Sequence, residues 1–169
     1  MKYFEYNLWM DVNSEIDSKR CAAQKIWEER ARLYVKEYSE TKKYLSKAFI
    51  KTYEDNFGFR GCYLSGLLLS AKQRKRNDNT NQKDIPACKL LLSDLVDSWQ
   101  LTYFNLDFFG FQPAGKGILP VFNNGYLTVE FSELLLMKEE KFSHELLFSD
   151  GSTLLIHFSR VSAKKIDQP

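Results

Sequence analysis

The chain predicts an α+β fold, with two N-terminal helices packed on a mainly antiparallel, meander-like β-sheet of about five to six strands. Three observations carry this expectation. Apolar and aromatic residues recur at helical spacings through the first third of the chain. Uncharged apolar runs and two-residue alternation take over after Cys62. Near the end, two β-rich arms between Phe142 and Phe158 flank Asp150-Gly151, a dipeptide that accepts the positive φ angles of a tight hairpin turn.

Taken in order, Lys2 to Tyr6 reads as a short strand or an arm on the core. Ser14, three residues before Asp17, reads as a helix start, because its hydroxyl can accept from a free N–H of the first turn. Ile16, Ala23, Trp27, Ala31, Tyr34 and Tyr38 then share one helical face, opposite Lys25, Glu28, Glu29, Arg32 and Lys36. This predicts a long helix over residues 14–43. Leu45, Phe49, Tyr53 and Phe57 repeat every fourth residue, with Ser46 as cap and Gly58 and Gly61 as terminators. The two helices are expected as a pair on one sheet face.

Residues 62–71 suit a central strand, and Ala87 to Asp94 its return. The polar run from Lys72 to Lys83 between them reads as a solvated hairpin loop. Trp99, Leu101 and Tyr103 alternate with Gln100 and Thr102 in a third strand. Asp107 to Val121 reads as irregular with one short strand, and Asn123-Asn-Gly125 as a turn. Leu127, Val129 and Phe131 mark a half-buried strand before the final hairpin. One domain is expected over residues 1–169, helical over 1–60, a sheet over 61–160 and a frayed tail over 161–169.

The composition bounds the function. With 44% hydrophobic and 15% aromatic residues, the chain of 169 residues can bury a core without disulfides or metals. The net charge of +2 does not favour a nucleic-acid partner. Cys21, Cys62 and Cys88 are odd in number and have no metal-type spacing, which suits reduced thiols. No signal peptide and no membrane span is read, so a cytoplasmic location and no membrane partner are expected.

The candidate chemistry is sparse. A two-residue Asp150-Gly151 turn sets His144 opposite His157, together with Leu146, Phe148, Thr153 and Leu155. That pair could form a metal half-site or a proton-responsive pair, but a zinc site needs further ligands and Glu145 points to the other face. Two partly buried histidines are the favoured reading, with no metal or other cofactor. A Cys–His nucleophile is not supported, since Cys62 and Cys88 lie in apolar strands. The basic run Lys72 to Arg76 lacks stacking aromatics, so an RNA-associated role is a minor alternative.

From Pro120 to Asp150, Glu130, Glu133, Glu139, Glu140, Glu145 and Asp150 outnumber Lys138 and Lys141. Beside them lies the cluster Phe108, Phe109 and Phe111. Aromatic anchors with an acidic rim make an interface for a basic partner. The competing reading puts the phenylalanines in the core and the acids on a soluble edge strand.

Four segments carry a resemblance: Met1-Lys-Tyr-Phe4 with Leu8-Trp9, Tyr53-Glu-Asp-Asn-Phe57, Asp97-Ser-Trp-Gln-Leu-Thr-Tyr103, and Ser143 to Phe158. In them the chain resembles a family of small uncharacterised bacterial proteins, a domain of unknown function. The resemblance implies a bacterial cytosolic α+β protein and transfers no catalytic residue. Small α+β bacterial proteins of this general character are often immunity proteins. The expected function is therefore non-catalytic: binding a cognate toxin domain, a nuclease favoured, and occluding its active site. A metal- or His-dependent enzyme is the alternative, and a homodimer through an exposed edge strand a further one.

Overall fold

The structure is a computed structural model that describes residues 1–72, 85–114 and 127–167. Three α-helices come first: α1 (Tyr6–Val12), α2 (Asp17–Thr41) and α3 (Lys47–Asp55). Eight strands follow: β1 (Tyr63–Lys72), β2 (Ile85–Ser93), β3 (Ser98–Phe104), β4 (Phe108–Gln112), β5 (Val129–Leu136), β6 (Phe142–Phe148), β7 (Thr153–Phe158) and β8 (Arg160–Ile166). The α+β class holds, but among the described residues the helices number three rather than two. The strands form two four-stranded antiparallel sheets, ordered β1-β2-β3-β8 and β4-β7-β6-β5, rather than one meander.

Two connections move the chain between sheets. Asn105, in the left-handed region at φ 54° that Asn tolerates, turns β3 into β4. Ser159 joins β7 to β8, and it donates its N–H to Phe104 O at 3.2 Å while Asp107 N–H donates to His157 O at 3.0 Å. On the opposite side, the start of β1 meets the segment entering β5. Gly61 N–H donates to Val129 O and Val129 N–H to Cys62 O, both at 2.8 Å. Strands that switch sheets at such corners let two inner faces share one core. That core unites Cys88, Leu90 and Leu92 of β2, Leu101 and Tyr103 of β3, Leu146 of β6 and Leu154, Ile156 and Phe158 of β7.

Several elements depart from the sequence expectations. The N-terminal aromatic arm runs into the helix α1. Ser14 is no helix cap: its Oγ accepts from Ile16 N–H at 3.2 Å, and α2 begins later, at Asp17. The cap at Ser46 is as expected, accepting from Phe49 N–H at 3.2 Å. The helices are not a pair on one sheet face. α2 runs along the free edge of β5, where Leu134 N–H donates to Tyr34 Oη at 3.1 Å and Leu136 N–H to Thr41 Oγ1 at 2.9 Å. Helix hydroxyls thus satisfy a strand edge that would otherwise stay open. α3 instead packs Phe49 and Tyr53 into the core. The expected tail over 161–169 is mostly β8, held by β3 from Phe104↔Arg160 to Ser98↔Ile166. Of the loop expected over Lys72 to Lys83, Lys72 instead ends β1, paired with Ile85; residues 73–83 and the Asn123-Asn-Gly125 turn lie outside the described residues.

Candidate functional site

The expected histidine pair is absent because the final turn is one residue longer than a two-residue hairpin. Phe148 N–H donates to Ser152 O and Gly151 N–H to Phe148 O, both at 2.9 Å, with Gly151 at φ 87°. A three-residue turn ending in a left-handed glycine is the alternative closure for such sequences. It shifts the register by one, so His144 faces Ile156 and His157 faces Ser143. The two imidazoles therefore point to opposite faces of the sheet. Thr153 and Leu155 leave the face of His144, and Leu154 and Ile156 take their place.

His144 is fully buried, and its Nδ1 lies 2.7 Å from Tyr103 Oη across the core. Burial pushes its pKa down to about 3, so it is neutral at physiological pH. Its Nε2 has no hydrogen-bond partner among the described residues. His157 lies on the outer face, tilted against Phe108 with ring centres 5.2 Å apart. Burial also pushes the Cys62 thiol up to about 11, with Asp94 and Asp97 adding to the effect, and the Cys88 thiol up to about 12. Both are protonated at neutral pH and thus weak nucleophiles. Among the described residues, no three His, Cys, Asp or Glu side chains cluster as metal ligands.

The acidic residues have divergent fates. Glu133 is 1% exposed, and its carboxylate accepts three successive backbone N–H groups: Lys2 at 2.8 Å, and Tyr3 and Phe4 at 2.7 Å each. Glu145, its cross-strand neighbour, lies 2.8 Å from the α-ammonium of Met1. Two like charges opposite each other would repel. Here four N-terminal donors lie against them and fix the first residues to β5 and β6. Asp150 accepts from Ser152 N–H at 2.8 Å and Ser152 Oγ–H at 2.6 Å inside the turn. These three carboxylates are engaged within the chain. Glu130 and Glu140 remain at the surface, and the Glu139 side chain lies outside the described set. Sequence reading missed the anchoring role of Glu133. The available signal was weak, since Glu133 is one of two acids, with Glu130, in the largely apolar strand from Val129 to Leu136.

A bulge between Val129 and Phe131 redirects the strand. Phe131 consequently leaves the face of Val129 and packs on Trp27 (4.7 Å between ring centres) and Phe4 (5.4 Å). Beyond it lies a cleft of about 360 Å³ lined by Tyr34, Tyr38, Tyr53, Phe57, Arg60 and Phe131. The turn at its mouth is strained. Phe57, Gly58 and Phe59 all sit in the left-handed region, at φ 48°, 68° and 65°. Each non-glycine residue there costs about 1–2 kcal/mol. Phe59 is buried in the core, whereas Phe57 is left 85% exposed.

The aromatic cluster Phe108–Phe111 divides. Phe111 packs toward Phe148, with ring centres 6.5 Å apart. Phe108 is 48% exposed, and with Phe109 it lines a groove of about 390 Å³ against Leu69, Ala71, Pro86 and Leu106. The groove borders β1, whose outer half has no strand partner besides β2 among the described residues. Leu67, Leu68 and Leu69 are 45%, 55% and 53% exposed, so both faces of the strand meet solvent. No charged residue occurs from Tyr63 to Ala71. Beyond Leu64, β1 pairs only with β2 among the described residues. Natural edge strands are normally blunted by charge, proline or a cover.

No protein-family profile matches this chain, and no curated protein sequence does either. No described helix is long and apolar enough to cross a membrane.

Proposed function

We propose that this chain is a non-catalytic binding protein that docks a protein partner along the open half of β1 and the adjoining Phe108–Phe109 groove, as an immunity factor occluding a bacterial toxin domain. The uncharged, doubly exposed strand Leu67–Leu69 carries this reading. An extended segment of the partner adds to the edge by backbone hydrogen bonds, while the groove receives an apolar side chain. Aromatic and aliphatic anchors of this kind supply most of the binding energy at protein interfaces. The engagement of Glu133, Glu145 and Asp150 within the chain favours apolar burial and strand pairing over acidic phosphate mimicry.

The test is co-expression with the toxin domain encoded beside this chain's gene. A complex that forms at low salt, and is lost in the Leu68→Lys, Phe108→Asp double variant while the melting temperature holds, supports the reading. No complex, or no neighbouring toxin gene, ends the immunity assignment. A stable homodimer through β1, with no toxin complex, replaces the foreign partner by a second copy.

A further inference from the structure

We infer that the cleft between α2, α3 and β5 is a binding site for a small carboxylate that carries a planar aromatic ring, an aromatic α-amino acid being its best-matched form. The site shares no lining residue with the Phe108–Phe109 groove and does not depend on it. Its walls are the rings of Tyr38, Tyr53, Phe57 and Phe131. Its volume of about 360 Å³ lies in the small-ligand range.

The floor is rigid. Tyr53 Oη lies 2.7 Å from Ser132 Oγ, which donates to Gly58 O at 3.0 Å. The turn is pressed onto this pair so closely that a Cβ on Gly58 would lie 2.4 Å from Ser132 Oγ. The same turn holds Phe57 outside the core at the mouth of the cleft, as part of its lining. An exposed aromatic held in a strained backbone that gains it no burial points to a role beyond packing.

The rim supplies the charge. The Arg60 guanidinium lies over the Phe131 ring, 4.8 Å from its centre. None of the ion pairs among the described residues includes Arg60. A guanidinium held over a ring by cation–π attraction still has N–H groups to offer a carboxylate. Glu54, by contrast, is engaged by Tyr38 Oη at 3.2 Å and Lys42 Nζ at 3.1 Å. Glu130 also lines the cleft and takes part in no ion pair among the described residues. It can receive an ammonium. An aromatic ring, a carboxylate and an adjacent ammonium together satisfy the walls, Arg60 and Glu130.

The experiment is titration of the full chain, followed by amide chemical shifts, with L-phenylalanine, 3-phenylpropionate and phenethylamine. Saturable binding of the first two is expected, with shifts centred on Gly58, Phe131 and Ser132. Phenethylamine, which lacks the carboxylate, should bind about tenfold or more weakly. Arg60→Leu should weaken both carboxylates by a similar factor, and Phe57→Ala should weaken all three probes. Both residues are exposed, so an unchanged melting temperature separates lost binding from lost fold. No saturation by about 10 mM, equal binding of phenethylamine, or insensitivity to Arg60→Leu overturns the site.

Discussion

Glu133 is the single residue on which the N-terminal segment most depends. One buried carboxylate satisfies three backbone donors, each at charge-assisted hydrogen-bond distance. Glu133→Ala leaves those N–H groups without their acceptor and opens space beside Phe4. A loss of about 3 kcal/mol in urea unfolding is expected, together with faster amide exchange at Lys2, Tyr3 and Phe4. Unchanged exchange there would show that the anchor lies elsewhere. His144 makes a second prediction at this scale. Its folded pKa is depressed from 6.5 to about 3 by burial, so below pH 6.5 the unfolded chain binds a proton that the native protein does not. Stability is therefore full above pH 6.5 and falls with pH toward 3, by up to about 1.4 kcal/mol per pH unit from this residue. Replacing both partners, His144→Leu with Tyr103→Phe, removes a polar pair together and leaves neither group orphaned. Between pH 7 and pH 5 the double variant should lose about 2 kcal/mol less than the wild type, measured by urea midpoints.

At the scale of the elements, the final hairpin shows how far local signals reach. The Asp150-Gly151 pair marks the turn in the sequence, and Gly151 does adopt the positive φ it permits. Two closures share that signal, and they differ by one residue. The Asp150 carboxylate, bonded to both Ser152 N–H and Ser152 Oγ–H, holds the longer one. Gly151→Ala should cost about 1 kcal/mol or more in thermal unfolding, since its Cβ would also lie 3.0 Å from the Tyr6 ring. The helix faces were legible from spacing in part. Ala23, Trp27, Tyr34 and Tyr38 face inward, as do Phe49 and Tyr53, but Ile16 precedes α2 and is exposed, and Phe57 lies beyond α3 in the left-handed turn. Ser46 was legible from its cap chemistry. The edge bonds between α2 and β5 were not legible, because Tyr34 and Thr41 look like ordinary face residues until a strand lies beside them. The bulge before Phe131 was equally hidden, and with it the division of β5 between core and cleft. β1 carries its own prediction. Leu68→Lys should leave stability within about 0.5 kcal/mol, because Leu68 is already 55% exposed.

Across the whole molecule, antiparallel strands and an α+β class followed from composition and pattern, but the division into two sheets did not. Sheet membership is decided by long-range pairing: β8 returns to β3 and β4 to β7. Alternation records which face of a strand is buried and not which strand lies beside it. The candidate surface was partly legible in the same way. Phe108 and Phe109 were visible as a cluster, and they do meet solvent in the groove. The acids grouped with them in sequence are separated by the fold into the anchor at Glu133 and Glu145, the turn at Asp150 and the free surface at Glu130 and Glu140. For the proposed immunity function, the most direct measurement is the affinity of the purified chain for any toxin domain encoded beside its gene, compared with that of the Leu68→Lys, Phe108→Asp variant. The account predicts tight binding by the wild type and a loss of at least about a hundredfold in the variant. Equal affinity of the two proteins would contradict it.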